Sequence, residues 1–282
     1  MDSFQNSSDL RFHLDRALAD GCTIGFVPTM GALHSGHLAL IAESIANNDF
    51  TVASIYVNPT QFNNPNDLKT YPRQPEKDLD LLRKAGCNAV FFPADDDLYP
   101  NGVRTGNYDL GILDEVIEGH FRPGHFQGVA TVVDALFKTV QPHRAYFGEK
   151  DFQQVAVIRQ MARIHHPNIQ IISCPTIRKT DGLAMSSRNL RLSPEQRTVA
   201  TTLSKALFFL RDQGAALPLS EAKNKALSII EAVPEISLEY LEIVNPETFE
   251  RLSKWSNGTE VRACISAYLG DIRLIDNVGI KS

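Results

Sequence analysis

The 282-residue chain has only four cysteines, and Cys22, Cys87, Cys174 and Cys264 make no C-x-x-C pair. Zinc-ribbon and dithiol redox spacings are therefore missing, and four well-separated thiols suit a reducing compartment. Basic residues are not in excess: 28 Lys and Arg against 33 Asp and Glu leave a net charge of −5, which disfavours a nucleic-acid backbone as partner. No stretch approaches the ~18–20 apolar residues of a membrane span, and the opening M-D-S-F-Q-N-S-S-D-L has no basic segment ahead of an apolar one. These absences predict a cytoplasmic protein with neither nucleic-acid nor membrane partners. The chain also lacks G-x-x-x-x-G-K-[ST] and a helix-opening G-x-G-x-x-G, which disfavours P-loop kinases and nicotinamide dehydrogenases.

What is present is ordinary globular composition, 43% hydrophobic and 22% charged, over a length that can bury a real core. Apolar spacing predicts helices over 9–19, 37–47, 75–85, 126–140 and 151–164. Short runs rich in β-formers predict strands over 23–27, 50–57, 89–92, 144–147 and 169–174. This alternation implies an α/β fold, a parallel sheet with helices on both faces. Such sheets bind ligands in the loops beyond the carboxyl ends of their strands. After Pro175 the texture changes to helices over 194–212 and 220–232, then strands over 237–244, 261–268 and 272–275. Helices followed by strands suggest a smaller C-terminal α+β domain, dividing the chain into 1–176 and 177–282.

The segment F-V-P-T-M-G-A-L-H-S-G-H, Phe26 to His37, leaves a predicted strand and enters a predicted helix. Gly31 and Gly36 let the backbone approach a ligand, and a helix start favours anions. His34 and His37 have free pKa values near ~6.5, which a bound triphosphate would raise. In displacement at an α-phosphate, two such imidazoles can stabilise the departing pyrophosphate, and one can donate a proton. Met185-Ser186-Ser187-Arg188-Asn189 follows the last parallel strand; its hydroxyls and guanidinium can grip phosphate oxygens. Phe147-Gly148-Glu149-Lys150-Asp151 is another strand-to-helix turn: Gly148 permits close approach, Lys150 can reach a phosphate, and Asp151 can either cap the helix or contact ligand. Gln61, after the second strand, and Gln154, on a first helical turn, suit a hydroxylated carboxylate substrate or are surface amides. Arg122 and His125 lie between Pro/Gly turns near the expected crevice. Asp95-Asp96-Asp97 reads as a solvated loop, His165-His166 as a surface pair, and Trp255, beside Asn257-Gly258, as packing.

The H-x-G-H and M-S-S-R segments together resemble the two signature loops of the H-x-G-H nucleotidyl-transferase superfamily. Within it, V-P-T-M-G-A-L-H-S-G-H, V-N-P-T-Q-F, Y-P-R, G-H-F-R-P-G-H-F-Q-G-V-A-T-V-V, Y-F-G-E-K-D-F-Q-Q and M-S-S-R-N occur in the order of the pantoate–β-alanine ligase family, over residues 27 to 189. That resemblance implies a Rossmann-like N-terminal domain holding ATP and pantoate, with the C-terminal domain as lid. It also implies ATP as substrate, a Mg²⁺ requirement, a homodimer, and reaction through an acyl adenylate. Carried over by position, His37, His34 and Lys150 would be catalytic. ATP would meet Met30, Gly31, Ala32, Leu33, His34, Ser35, Gly36, His37, Gly148, Glu149, Lys150, Asp151, Ile177, Met185, Ser186, Ser187 and Arg188. Gln61 and Gln154 would bind pantoate, Gln61 also lying near β-alanine. Family members often carry acidic residues where this chain has Glu76-Lys77-Asp78; Lys77 weakens that stretch as a Mg²⁺ site, and no metal ligand is assigned. The rival readings are another H-x-G-H nucleotidyltransferase, a class I aminoacyl-tRNA synthetase fragment and a nucleotide-sensing module.

Overall fold

The computed structural model describes residues 1–255 and 258–281. They form two compact units that divide between Thr176 and Ile177. In the first unit the strands are β1 (Asp2–Phe4), β2 (Ile24–Thr29), β3 (Phe50–Ile55), β4 (Ala89–Phe91), β5 (Arg144–Gly148) and β6 (Gln170–Cys174). Its helices are α1 (Ser7–Ala19), α2 (Ser35–Asn47), α3 (Pro65–Thr70), α4 (Pro75–Lys84), α5 (Asp95–Leu98), α6 (Glu118–Phe121), α7 (His125–Val140) and α8 (Phe152–His165).

The six strands lie in the order β1-β4-β3-β2-β5-β6 and pair in parallel throughout. Alternate residues on each strand feed opposite cores, which is why both faces carry helices. Phe26, Val52, Phe91 and Phe147 pack with Leu10 and Leu14 of α1, Phe137 of α7 and Ile158 of α8. Their neighbours Val27, Ala53, Val90 and Tyr146 pack on the other face with Leu40 and Ile41 of α2 and Leu82 of α4. This is a Rossmann-like sheet with one added parallel edge strand, β1. Among the described residues, no helix is long and apolar enough to cross a membrane.

Helix α2 rides unusually close to the sheet. A Cβ at Gly25 of β2 would stand 2.2 Å from Ser44 Oγ and 2.5 Å from Asn48 Nδ2. Asn48 in turn donates from Nδ2 to Tyr146 Oη at 2.7 Å, tying the end of α2 to β5.

The second unit contains α9 (Pro194–Val199), α10 (Thr201–Gln213) and α11 (Leu219–Glu231), and an antiparallel sheet β7 (Ile236–Val244), β8 (Glu260–Leu269) and β9 (Ile272–Lys281). Leu203, Leu207 and Leu210 of α10 and Ala226 and Ile230 of α11 pack on Leu241, Ile265, Leu274 and Ile280 of the sheet. Trp255 packs on the same core and donates from Nε1 to the Leu217 carbonyl at 2.7 Å; Asn257 lies outside the described residues.

Several elements differ from expectation. The single helix predicted over 194–212 breaks at Ala200 into α9 and α10. Strand β9 runs on to Lys281 rather than stopping at residue 275. Asp95-Asp96-Asp97 is solvated at Asp95 and Asp96 but opens the short helix α5 rather than a loop: Asp95 accepts from Tyr56 Oη at 2.8 Å and Asp97 from Ser7 N–H at 3.0 Å. His166 is no surface residue, since its Nε2 lies 2.7 Å from the buried carboxylate of Asp134.

Candidate active site

The chain leaves β2 for β3 and β4 on one side, whereas β5 leads to β6 on the other. Neighbouring strands whose connections diverge open a crevice at their carboxyl ends. Into it lead the loop from β2 to α2, which ends at His34, the first turn of α2, which carries His37, and the short 3-10 turn Glu149–Asp151 between β5 and α8. Topology alone thus brings the H-x-G-H and lysine turns together.

The two imidazoles are built into the start of α2. His34 is its N-cap, and His34 Nδ1 accepts the Gly36 N–H at 3.1 Å. His37 Nδ1 accepts the His34 N–H at 3.3 Å, and the rings stack with centroids 4.0 Å apart. Two amides expected to await an anion at this helix start are therefore occupied by the histidines themselves. A ring nitrogen that accepts an N–H carries no proton, so the network assigns the proton of each neutral ring to Nε2. Both rings are held neutral. Burial, then the Lys150 ammonium, pushes His34 down to about 4. Burial, then His34 and Lys150, pushes His37 well below its ordinary range. The shared influence of Lys150 shows that the lysine and both imidazoles occupy one electrostatic neighbourhood. Lys150 Nζ also lies 3.6 Å from Asp151 Oδ1.

The turn before the histidines is left-handed at two successive residues, Gly31 at φ +79 and Ala32 at φ +49. The second is costly for an L side chain, roughly 1–2 kcal/mol. Side chains from elsewhere hold it. Thr29 Oγ1 accepts the Gly31 N–H at 3.1 Å while donating to the Ser54 carbonyl at 2.8 Å. Asp78 accepts the Ala32 N–H at Oδ2, 2.8 Å, and the Leu33 N–H at Oδ1, 2.7 Å. Burial raises the Asp78 pKa, and these two amides oppose the rise. Ala32 and Leu33 are themselves buried, with their amides turned toward Asp78.

Gln61 closes a 3-10 turn, Pro59–Gln61, after β3. Its Nε2 donates to Met30 Sδ at 3.0 Å, and its Oε1 accepts from Asn58 Nδ2 at 3.1 Å. Tyr99 Oη donates to Asn58 Oδ1 at 2.7 Å, fixing the asparagine. The Gln61 carbonyl accepts from Arg122 Nη2 at 3.2 Å and from His125 Nδ1 at 2.7 Å. Arg122 Nη1 donates to His125 Nε2 at 3.0 Å, which leaves Nδ1 as the donor to that carbonyl. Arg122 and His125 thus brace the peptide of a substrate-site candidate. The Gln61 amide retains a second N–H and a second lone pair for a ligand.

Asp151 is the N-cap residue of α8 but makes no capping hydrogen bond, so the capping alternative finds no support in its geometry. Gln154 is half-buried on the first turn of α8. Its neighbour Gln153 is the structural amide, donating to the Leu113 and Val116 carbonyls and accepting from the Glu118 N–H. Cys87 and Cys174 are buried with thiols pushed up to about 11, far from nucleophilic.

Ile177, Met185, Ser186, Ser187 and Arg188 belong to the second unit. The Ile177 carbonyl accepts the Met185 N–H at 2.9 Å, and Arg178 bridges to Ala184, so the segment is a small hairpin. Ser186 Oγ accepts the Arg188 N–H at 3.3 Å and caps the turn Ser187–Arg191, while Ser187 is buried.

The site's fold and chemistry agree with a whole-chain match to the family model described as pantoate-beta-alanine ligase, over residues 2–279. The chain belongs to the pantoate–β-alanine ligase family. A pantothenate synthetase of Bacteroides fragilis is 46% identical over 273 residues, 97% of this chain and 96% of the relative. The crystal structure of pantothenate synthetase from Thermus thermophilus superposes with TM-score 0.92 at 45% identity, covering 99% of each chain. That of pantoate-beta-alanine ligase from Francisella tularensis, complexed with beta-gamma ATP and beta-alanine, gives TM-score 0.82 at 37% identity, covering 99% of this chain and 97% of that one.

Thr29 and Asn58 carry no signal in the sequence, and Asp78 enters there only as part of the acidic stretch considered for Mg²⁺. Each acts on a backbone or a neighbouring amide rather than presenting a reactive group. Among the described residues, no three His, Cys, Asp or Glu side chains gather to hold a metal.

Proposed function

We propose that this chain joins (R)-pantoate to β-alanine with ATP, giving pantothenate, AMP and pyrophosphate. A pantoate carboxylate oxygen attacks the α-phosphorus of ATP. The new O–P bond forms as the bond to the β,γ-diphosphate breaks, leaving pantoyl adenylate. The β-alanine amine then attacks the acyl carbon, the C–N bond forms, AMP departs and the amine loses a proton. No covalent enzyme intermediate is required.

The observation that carries this reading is the convergence of His34, His37 and Lys150 at the crevice between β2 and β5, with Gln61 bonded to the same loop through Met30. Neutral imidazoles protonated on Nε2 can donate to phosphate oxygens without bringing a counter-charge of their own. Lys150 supplies the positive charge. The negative charge of bound triphosphate raises the His37 pKa, and the ring so protonated is assigned as the proton donor to departing pyrophosphate. Gln61 and Gln154 are assigned to pantoate, with Gln61 near the incoming amine.

Met30, Gly31, Ala32, Leu33, Ser35, Gly36, Gly148, Glu149 and Asp151 line the ATP side of this reading. The ATP roles of Ile177, Met185, Ser186, Ser187 and Arg188, and a lid role for the second unit, rest on the family motif. Mg²⁺ is assigned to the triphosphate itself, where it would neutralise charge on the phosphate oxygens; both Asp78 oxygens are already committed to backbone amides. The family resemblance supports a homodimer with small-molecule partners, the acidic balance argues against a nucleic-acid partner, and the unpaired, well-separated cysteines suit the cytoplasm.

The test is pyrophosphate release and AMP formation from ATP with pantoate, with and without β-alanine. Pantoate-dependent pyrophosphate release, followed by amine-dependent AMP release, is expected. Turnover with a phosphorylated alcohol but not with pantoate would make the chain a different nucleotidyltransferase. Binding of ATP without AMP formation from any acid–amine pair would make it a sensor.

A further inference from the structure

We infer that Asp78 is the positioning residue of the catalytic turn: its carboxylate is a built-in anion that fixes the left-handed backbone and so aims both histidines. The inference rests on the proposed function for its activity arm only. Consecutive backbone N–H groups around a left-handed residue form a concave nest that attracts an anion. Here the nest is Gly31-Ala32-Leu33, and two of its amides point at one buried carboxylate, at 2.8 and 2.7 Å. The third goes to Thr29 Oγ1.

The fit is tight. Asp78 is 1% exposed, and a Cβ at Gly31 would stand 3.0 Å from its Oδ2 and 3.1 Å from Ile55 Cγ2. Leu33, one of the two residues it holds, directly precedes His34, whose backbone and ring then set His37. The carboxylate therefore works through the peptide chain and meets the turn from the protein side. A phosphate is not needed to order this nest, because the protein already fills it. That division leaves ATP to the face of the turn away from Asp78.

Asp78→Asn tests this. It keeps the shape but replaces one acceptor oxygen with an N–H₂ group facing a backbone N–H. The expected result is a fall in kcat of about 10- to 100-fold, the scale of a small misplacement of catalytic groups, with the melting transition still cooperative. Ala32→Gly added to Asp78→Asn should recover several-fold of the lost kcat, since glycine adopts this φ without help. The same change in the wild-type background should bring no comparable gain. A second readout needs no substrate: the imidazole ¹⁵N and ¹H shifts of His34 and His37 in the unliganded Asp78→Asn protein should move from wild-type values.

Three results would each overturn the inference: a wild-type kcat in Asp78→Asn, unmoved histidine shifts, or recovery of the Asp78→Asn rate by raised Mg²⁺, which would make the carboxylate a metal ligand. If the shifts move but no acid–amine pair turns over in wild type, the proposed function fails while the positioning role stands.

Discussion

Arg178 and Asp276 meet through two parallel bonds, Nη1 to Oδ2 at 2.6 Å and Nη2 to Oδ1 at 2.8 Å. The same guanidinium donates to the Gly182 carbonyl at 3.0 Å and the Asn277 carbonyl at 3.0 Å. One arginine thereby stitches the hairpin that carries Met185 to Arg188 onto β9. The pair is largely dry, with side chains 17% and 5% exposed, so breaking it leaves a charge without its counter-ion. Asp276→Asn should destabilise the protein by about 3–5 kcal/mol, read as a lowered urea midpoint. Arg178→Lys should also weaken it, because an ammonium cannot reproduce the fork. An unchanged midpoint in both variants would reduce the pair to a decoration.

His37→Ala should lower kcat by roughly 100- to 1000-fold, the usual scale for a lost transition-state donor. Single-turnover measurement of pantoyl adenylate formation isolates the relevant step. A near-normal rate there would remove His37 from the chemistry.

Acid sensitivity should carry the signature of His34. In the unfolded chain this ring takes up a proton near 6.5, but in the folded chain only near about 4. Between those values the unfolded state binds more protons, so stability falls as pH drops through that window and is fully retained above it. Urea midpoints of wild type should decline more steeply over this range than those of His34→Gln. Parallel curves for the two proteins would mean that the neutral ring contributes nothing to the acid response.

Gly128→Ala should damage the pantoate side of the site from behind. A Cβ there would lie 2.3 Å from the Thr60 carbonyl oxygen, in the turn that carries Gln61. Overpacking of this kind costs about 1–3 kcal/mol, and relief requires the turn to shift. A raised KM for pantoate with a lesser change for ATP is expected in steady-state kinetics. Equal changes in both would argue for general loosening.

The alternation of short apolar strands with periodic helices made the sheet of the first unit legible, because burial on both faces leaves unbroken runs such as T-V-A-S-I. Strand β1 escaped notice: three residues, Asp2 to Phe4, carry no periodicity and form a strand only because β4 offers an edge. Strand β9 was cut short because Asp276, Asn277 and Gly279 look like turn residues. In the fold, Asp276 is neutralised by Arg178, and Asn277 Oδ1 accepts from Arg262 Nε at 2.8 Å, so polar residues sit buried in a strand. His34, His37 and Lys150 stand out by the chemistry of their own side chains, whereas Gln61 is picked out only through the family resemblance. Asp78 was weighed only as a metal ligand. Its true partners are amides 46 and 45 positions away, and nothing local in a sequence reports such a contact.

The near-contact of Gly25 with Ser44 and Asn48 has a bearing on catalysis although it lies at the far end of strand and helix from the histidines. With no side chain as a spacer, the C-terminal half of α2 seats directly on β2, and that seating sets the direction in which the helix carries the imidazoles at its head. Gly25→Ala would lift that helix, and a rate assay beside circular dichroism of the variant would separate a tilted helix from a lost fold. A lesion of this kind slows turnover while every reactive group remains chemically intact.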